Sequence, residues 1–397
     1  MNKYTVIIAV VIIITYLEIL AITYDFLFTL FFFFLAAIMF FIAFKGHTAK
    51  NHYGSSSTTV SGFILILFGL YNAIFGFFPQ PVAGFMMWWI GIIFISNLIF
   101  SVIIRKELKN IRLELQKMNV SASENHKKSA LRRFVELMTE ENPYQECISL
   151  KMEAVRKSFH LSGILIILTF FGFFFLPPLT QMANQNIILF IDDTKWLYGI
   201  LWGDPDKYPY RKNNFQAVID LTMFALFGSL FFAIIPDIIR VIWGPEYSLL
   251  NFLTKAILRN KEYNSIGPQI FLLIGVTFSY SLYFIGLVHY LVVFTGIIIA
   301  CFSDGIAALI GRFFGKHKIN CIGGDIKSVE GFIAGTLSAF IIGLILLGPV
   351  YALIAALIFF LLDYFPMVIA DNILNPIVVI LGISVGILLI GLPIGWF

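Results

Sequence analysis

Long apolar runs separated by short polar segments make up most of this chain. A helix needs about 17–25 apolar residues to cross the hydrocarbon core of a bilayer. By that measure the pattern predicts eleven spans, at 4–23, 26–44, 60–78, 82–104, 161–177, 216–236, 269–288, 290–310, 330–347, 349–365 and 376–395. It therefore indicates an all-α polytopic membrane protein with about eleven transmembrane helices.

Composition supports the same class of protein. Of the 397 residues, 59% are hydrophobic and only 13% are charged, whereas a soluble domain carries about 25% charged residues. The first run follows Met-Asn-Lys-Tyr with no small-residue cleavage site, so we expect a retained span and not a signal peptide. Three cysteines without CxxC spacing argue against a disulfide framework or a zinc site.

The distribution of basic residues predicts the orientation. If the spans alternate, 23 of the 27 lysines and arginines fall on the side that holds segment 105–159. The other four are Lys195, Lys207, Arg211 and Lys212. The positive-inside rule then places the N-terminus in the cytoplasm and the C-terminus on the opposite side. The external loop 178–215 is rich in aromatic residues that we expect at the membrane interface, namely Trp196, Tyr198, Trp202, Tyr208 and Tyr210.

The polar segment after the fourth span suggests a division of the chain. We interpret 1–104 as a four-span membrane unit of unknown role, 105–150 as a cytoplasmic linker and 151–397 as a seven-span catalytic unit. Apolar positions 108, 111, 115 and 118 predict an amphipathic helix that continues out of the fourth span. A second short helix is predicted over 131–138.

The run at 290–310 ends in residues that are costly in a membrane. Asp304 lies near its end, and glycines, cations and two further acids, Asp325 and Glu330, follow by Gly331. The residues that we single out are Gly311, Arg312, Gly315, Lys316, Lys318, Lys327, Ser328, Glu330 and Gly331. A carboxylate beside glycines and several cations is typical of a site for a polyphosphate and its metal. The patterns GxxxxGK[ST] and GxGxxG are absent, so this is neither a Walker loop nor a kinase glycine-rich loop.

Other polar residues fall on the same predicted face. They are Arg156, Lys157, His160, Asp237, Arg240, Glu262, Asp371 and Asn372. Each has an ordinary explanation: basic residues anchor helix ends, Asp237 and Arg240 suit an exposed i,i+3 ion pair, and Asp371-Asn372 suits a helix start. Asp371-Asn372 also offers the oxygen ligands that Mg²⁺ takes. Together the charges suit phosphoryl or nucleotidyl transfer.

The order and spacing of these motifs resemble the dolichol kinase/phytol kinase family, the polyprenol kinase-like, CTP-dependent lipid kinases. The resemblance covers about 150–397 and depends on six motifs. They are 156–160, 237–240, 262–267, 303–318, 327–331 and 371–376. Phe332 departs from the pattern, because the family more usually has Ser or Thr there.

The resemblance implies a kinase that transfers the γ-phosphoryl group of CTP, with Mg²⁺ or another divalent cation, to a membrane lipid alcohol at the cytoplasmic face. The implied catalytic residues are Asp304, Lys327 and Glu330, and the implied metal ligands are Asp304, Glu330, Asp371 and Asn372. Nucleotide binding would fall to Gly311, Arg312, Gly315, Lys316, Lys318, Ser328, Gly331, Arg156, Lys157 and His160. Asp237, Arg240 and Glu262 would support the site.

Two other functions remain open. In phosphatidate cytidylyltransferases, which look similar around the Asp–Gly–Lys core, a lipid phosphate attacks the α-phosphorus and pyrophosphate leaves. A transporter would carry its charges near the bilayer midplane, often in repeated halves. The sequence leaves open the identity of the lipid, the choice among CTP, ATP and UTP, and the oligomeric state.

Overall fold

The computed structural model describes residues 24–118, 129–139, 179–251, 264–320, 326–365 and 367–395. This part of the chain is mostly helical, which confirms an all-α membrane protein. Within it, seven helical segments are long and apolar enough to cross a membrane, and Pro268–Phe284 and Pro349–Tyr364 are shorter apolar helices. These nine correspond to predicted spans, whereas the spans predicted at 4–23 and 161–177 lie outside the described residues.

The described N-terminal part forms four helices. They are α1 (Tyr24–Thr48), α2 (His52–Phe75), α3 (Val82–Met118) and α4 (Ala130–Thr139). α3 extends far past its apolar part and α4 follows it, which confirms both helices predicted for 105–138. Buried Ile104, Phe134 and Val135 form a small apolar cluster where α4 packs on α3.

The start of α2 corrects the predicted span at 60–78, because the helix begins at His52. Four hydroxyls in its first turns, on Ser57, Thr58, Thr59 and Ser61, bond to carbonyl oxygens one turn back in the same helix. Thr58 Oγ1 donates to Gly54 O at 2.7 Å, and Ser61 Oγ donates to Ser57 O at 2.9 Å. A serine- and threonine-rich stretch that is typical of a loop can therefore be helical here, because these side-chain hydroxyls find hydrogen-bond acceptors within the helix.

The middle of the chain begins with two helices, α5 (Leu179–Asp193) and α6 (Lys195–Trp202). Two 3₁₀ turns follow, Pro205–Lys207 and Pro209–Arg211, and then the long helix α7 (Asn214–Ile242). α1 and α2 pack on α7 through an aromatic core. The rings of Phe227 and Phe231 stack at 5.8 Å, and Phe68 meets Phe227 edge-on at 5.2 Å. The N-terminal helices therefore share one hydrophobic core with α7.

The remaining elements carry most of the motifs. They are α8 (Pro268–Phe284), α9 (Tyr290–Ile298), a π-helical turn (Ile299–Ser303), α10 (Asp304–Phe313), β1 (Lys318–Asn320), β2 (Ile326–Ser328), α11 (Val329–Leu347), α12 (Pro349–Tyr364) and α13 (Asp371–Ile390). β1 and β2 pair antiparallel, with Lys318 opposite Ser328. This small hairpin connects α10 to α11.

Several loops predicted to be cytoplasmic meet at one end of the helices. Lys45 Nζ donates to Val241 O at 3.4 Å, which joins the α1 end to the α7 end. The backbone N–H of Ala370 donates to Ser57 Oγ at 2.9 Å, and Asn372 Nδ2 donates to Pro268 O at 3.0 Å. These contacts agree with the predicted alternation of spans. Which membrane face this end occupies stays a prediction.

Candidate functional site

Asp304 occupies an irregular position in the predicted span 290–310. The helix starts regularly at Tyr290, widens into the π turn Ile299–Ser303 and resumes as α10 with Asp304 as its first residue. A π turn inserts one extra residue and frequently marks a functional site. The Asp304 side chain is partly buried, whereas Ser303 beside it is fully buried.

Helix packing places Asp371 at about the same depth as Asp304. Residues 285–289 join α8 to α9, and Asn372 Nδ2 at the start of α13 donates to Pro268 O at the start of α8, so α9 and α13 run in opposite directions. A methyl group on Gly296 would overlap Ile380 and lie 3.2 Å from Pro376 O. From that contact, Asp304 is eight residues along one helix and Asp371 is nine residues back along the other. At about 1.5 Å per residue, both carboxylates lie about 12–14 Å from the contact on the same side.

Two of the predicted metal ligands, Glu330 and Asn372, make hydrogen bonds within the protein. Glu330 is engaged with His317: its Oε1 accepts from the His317 backbone N–H at 3.2 Å and lies 2.7 Å from His317 Nδ1. The side-chain amide of Asn372 donates to Pro268. Among the described residues, no three His, Cys, Asp or Glu side chains gather closely enough to hold a metal by themselves. Mg²⁺ needs only one or two protein carboxylates when phosphates supply other ligands, so a metal site that includes Asp304 or Asp371 stays a prediction.

Gly311 and Gly331 allow a close crossing of α10 and α11. A Cβ on Gly331 would lie 2.5 Å from Ala307 O and 2.9 Å from Gly311 Cα, and a Cβ on Gly311 would lie 2.8 Å from Ser328 Oγ. Gly315 likewise packs against Ser328. A phosphate contact for these glycines stays a prediction, since the described atoms give them a packing role.

Ser328 has a structural role as well. It is the N-cap of α11, and its Oγ accepts from the Gly331 backbone N–H at 3.2 Å. Such a cap satisfies one of the N–H groups that the first turn of a helix leaves without a partner. Ser328 thereby fixes the angle at which the hairpin enters α11.

The predicted phosphate-binding cations fall into two classes. Arg312, Lys316 and Lys318 are exposed around the end of α10 and the start of β1. Lys327 instead reaches α12, where its Nζ donates to Asp363 Oδ1 at 2.6 Å and to Asp363 O at 2.8 Å. That contact neutralises Lys327 and ties the hairpin to the last turn of α12. Asp363 was not predicted as a site residue, although a single acid at the end of an apolar run is a visible signal.

Asp237 and Arg240 form a buried pair, which corrects the interpretation of an exposed ion pair. Arg240 Nε donates to Asp237 Oδ1 at 2.6 Å, and the two side chains are only 1% and 6% exposed. Arg240 Nη2 also donates to Ser265 O at 2.6 Å, and the Gly267 N–H donates to Asp237 Oδ2 at 2.8 Å. The pair therefore fastens the loop before α8 to α7, and its predicted supporting role stays a prediction.

The aromatic loop also departs from its prediction. Tyr198, Tyr208 and Tyr210 are buried and do not rest at an interface, whereas Trp196 is 71% exposed. The reason is a polar partner: Tyr210 donates to Asp220, which also accepts from Gln216 Nε2 at 2.6 Å. The Gln216–Asp220 spacing of four residues was the only sequence signal for this network.

Four predicted site residues, Arg156, Lys157, His160 and Glu262, lie outside the described residues. The other predicted residues divide between the α10–hairpin–α11 region and the α7–α8–α13 ends. The depth of Asp371 relative to Asp304 links these two groups. No protein-family model, no curated protein and no solved structure matches this chain.

Proposed function

We propose that the protein is a CTP-dependent lipid alcohol kinase of the dolichol, polyprenol or phytol kinase type. The observation that carries the proposal is the position of Asp304. It follows a π turn at the end of an apolar span, at the depth of Asp371, and precedes three exposed cations within 14 residues. A carboxylate at the end of an apolar helix beside exposed cations suits a lipid hydroxyl on one side and a nucleotide on the other.

The cations provide the nucleotide side of the site. Arg312, Lys316 and Lys318 point charge into solvent at the helix end, where charge-assisted hydrogen bonds to phosphate oxygens are strong. Lys327 contributes by holding the hairpin against Asp363. In this proposal Lys327 is a positioning residue and its implied direct role in transfer is given up.

The acids provide the other side. Asp304 orients the lipid hydroxyl and accepts its proton as the oxygen attacks the γ-phosphorus, the bond to the bridging oxygen breaks, and CDP leaves. A divalent cation bound with the nucleotide would be held by Asp304 and Asp371 and would neutralise phosphate charge. Glu330 holds His317 and so fixes the loop that carries Lys316 and Lys318.

The site lies at a membrane boundary, which suits a substrate that stays in the bilayer. Phe313 and Phe314 are 60% and 68% exposed and lie directly between Arg312 and Lys316. Large apolar side chains beside cations are typical of residues anchored at the headgroup level. We place this face in the cytoplasm because the basic residues concentrate there.

Position-specific labelling tests the proposal. Purified protein is incubated with a polyprenol, Mg²⁺ and CTP labelled at the α- or the γ-phosphorus, and the lipid is extracted. We expect label in the lipid from γ-labelled CTP alone, with CDP as the second product. The same polyprenol with its hydroxyl acetylated is the matched control and should take up none.

The alternatives give different results in the same experiment. Label that reaches a phosphatidate substrate only from the α position would identify a cytidylyltransferase and overturn the proposal. A panel of lipid alcohols crossed with CTP, ATP, UTP and GTP then defines both substrates. The resemblance predicts that CTP and a long isoprenoid alcohol give the highest kcat/KM.

A further inference from the structure

A groove of about 670 Å³ lies between the α1–α2 hairpin and the loop that leads into α13. Its volume is within the range of sites that hold small organic ligands. Both helices that form it are long and apolar enough to cross a membrane. An occupant must therefore be compatible with the bilayer.

The lining changes from apolar to polar along the groove. Phe40, Phe44 and His47 line it from α1, at the spacing of one helix face. Ser56 and Val60 line it from α2. Because the antiparallel helices join at 49–51, His47 and Ser56 lie near the turn, and Phe40 and Val60 lie deeper. This gradient matches a molecule with a polar head and an apolar chain.

The polar end has unused hydrogen-bonding capacity. Ser55 Oγ donates to Ala43 O at 2.6 Å, and Thr59 Oγ1 donates to Ser55 O at 3.0 Å. Within the described residues, His47 and Ser56 have no side-chain hydrogen bond; the His47 ring contacts only the His52 ring, at 4.9 Å. A hydroxyl head at this end could therefore be bound without displacing an existing hydrogen bond.

The groove also leads to the proposed catalytic region. Val368 and Ile369 form part of its wall. The next residue, Ala370, donates its N–H to Ser57 Oγ at 2.9 Å, and Asp371 begins α13. The wall of the groove thus continues into the carboxylate that lies at the depth of Asp304. Ser57, which accepts that hydrogen bond, is adjacent to Ser56 at the polar end of the groove.

We infer that this groove binds the lipid alcohol, with its chain along Phe40, Phe44 and Val60 and its hydroxyl end toward Ser56 and the start of α13. The inference rests on the proposed function and gives the N-terminal helices the role of a substrate-binding element. The described residues favour a neutral alcohol over an anionic lipid here, because hydroxyls and a single imidazole line the polar end.

Photocrosslinking of the full-length chain tests where the lipid binds. A polyprenol with a diazirine beside the hydroxyl is irradiated with the protein in nanodiscs, and the labelled peptides are sequenced. We expect label in α1, α2 and the 367–369 loop, with competition by unlabelled polyprenol. Equal competition by phosphatidylglycerol would mean a phospholipid site and would overturn the inference.

Two groove-filling variants supply the kinetic test. Val368→Trp changes an exposed loop position, and Ser56→Phe fills the polar end. Each should lower crosslinking about tenfold and raise KM for the lipid by a similar factor, while KM for CTP stays unchanged. Leu67→Trp, at an exposed position of α2 that is not part of the groove, is the matched control and should change neither.

The two hypotheses fail in different ways. Crosslinking in the groove without lipid phosphorylation would refute the kinase proposal and leave the binding groove. The opposite result would be lipid phosphorylation with crosslinks outside the groove and a normal KM for the lipid in Val368→Trp and Ser56→Phe. It would refute lipid binding in the groove and leave the kinase proposal intact.

Discussion

The two ends of the molecule treat polar residues in opposite ways. At one end, the aromatic cap (residues 179–220) contains buried polar side chains that bond to one another. Tyr208 donates to Asn184 Oδ1 at 3.2 Å, and Asn184 Nδ2 donates to Tyr210 O at 3.1 Å. At the other end, the basic hairpin (residues 311–330) leaves Arg312, Lys316 and Lys318 exposed. Paired polar groups hold structure, whereas exposed like charges at a helix end suit binding.

Asp220 in the cap and Asp304 near the hairpin differ in how deeply they are buried. Asp220 is 7% exposed and has the partners Tyr210 and Gln216. Burial, and next the nearby Asp220 charge, raise the pKa of Tyr210, so the phenol stays protonated and remains a donor. Asp304 is less buried and lies at a backbone irregularity. We therefore assign stability to Asp220 and chemistry to Asp304.

The largest predicted effect concerns the buried pair near the functional end. Arg240→Met leaves the carboxylate of Asp237 buried without its counter-ion, and we expect a loss of about 3–5 kcal/mol in the free energy of unfolding. Unfolding in a denaturant series with the protein in detergent measures it. This loss would show that the end of the molecule with the candidate site also depends on a buried ion pair for its stability.

A double variant controls for that result. Asp237→Leu with Arg240→Met removes both charges, and we expect it to recover much of the lost stability, because no uncompensated charge stays buried. If the single variant loses no more stability than the double variant, the pair is not the buried element that the contacts indicate.

The second prediction exchanges the roles of the two acids. Asp304→Asn should lower kcat/KM for lipid phosphorylation by about 100-fold or more and change the melting temperature less than Asp220→Asn does. Asp220→Asn should do the reverse: a loss of about 1–3 kcal/mol in stability, because a carboxylate that accepts two hydrogen bonds is replaced, with normal kcat/KM. Activity assays and thermal melts on both variants measure this. Activity that survives in Asp304→Asn would remove the basis of the kinase proposal.

Much of the fold could be predicted because apolar length alone determines membrane helices. The start of α2 could not, since Ser57 and Thr58 look like loop residues until their hydroxyls are seen to bond within the helix. The cap tyrosines were misplaced for a related reason. Ring amphipathicity predicts an interface position but does not anticipate a carboxylate such as Asp220 as a partner.

The sequence predicts which residues belong to the candidate site better than it predicts what each of them contacts. The order of motifs identifies Asp304 and the cations that follow it. Pairing between distant residues decides which cations stay exposed: Lys327 meets Asp363, 36 positions away, and no local pattern encodes that contact. Similarly, Glu330 belongs to the motif 327–331, but its carboxylate is engaged by His317.

The third prediction compares exposed lysines at the two ends. Lys316→Gln and Lys318→Gln should each raise KM for CTP about fivefold, which corresponds to about 1 kcal/mol of lost phosphate interaction. Steady-state kinetics at low and high salt measure it, and high salt should reduce the difference because exposed charges are screened. Lys207→Gln and Lys212→Gln, exposed lysines of the cap, are the controls and should leave KM unchanged. An equal effect at both ends would mean a nonspecific influence of net charge.

The smallest effect is a pH dependence within the cap. Arg211 Nη2 donates to Asp192 Oδ1 at 2.8 Å, and this hydrogen bond lowers the pKa of Asp192 below its ordinary value. A carboxyl whose pKa is lower in the folded state contributes stability above its unfolded pKa of about 3.9, and the contribution disappears as pH falls through the folded pKa. Arg211→Gln should therefore have a slightly lower melting temperature than the wild type at pH 7, and this difference in melting temperature should shrink below about pH 4. The bond from Arg211 Nε to Pro205 O is independent of pH. If the difference in melting temperature between Arg211→Gln and the wild type stays constant from pH 7 to pH 3, the whole effect comes from the bond to Pro205 O. The Arg211–Asp192 pair would then contribute no pH-dependent stability.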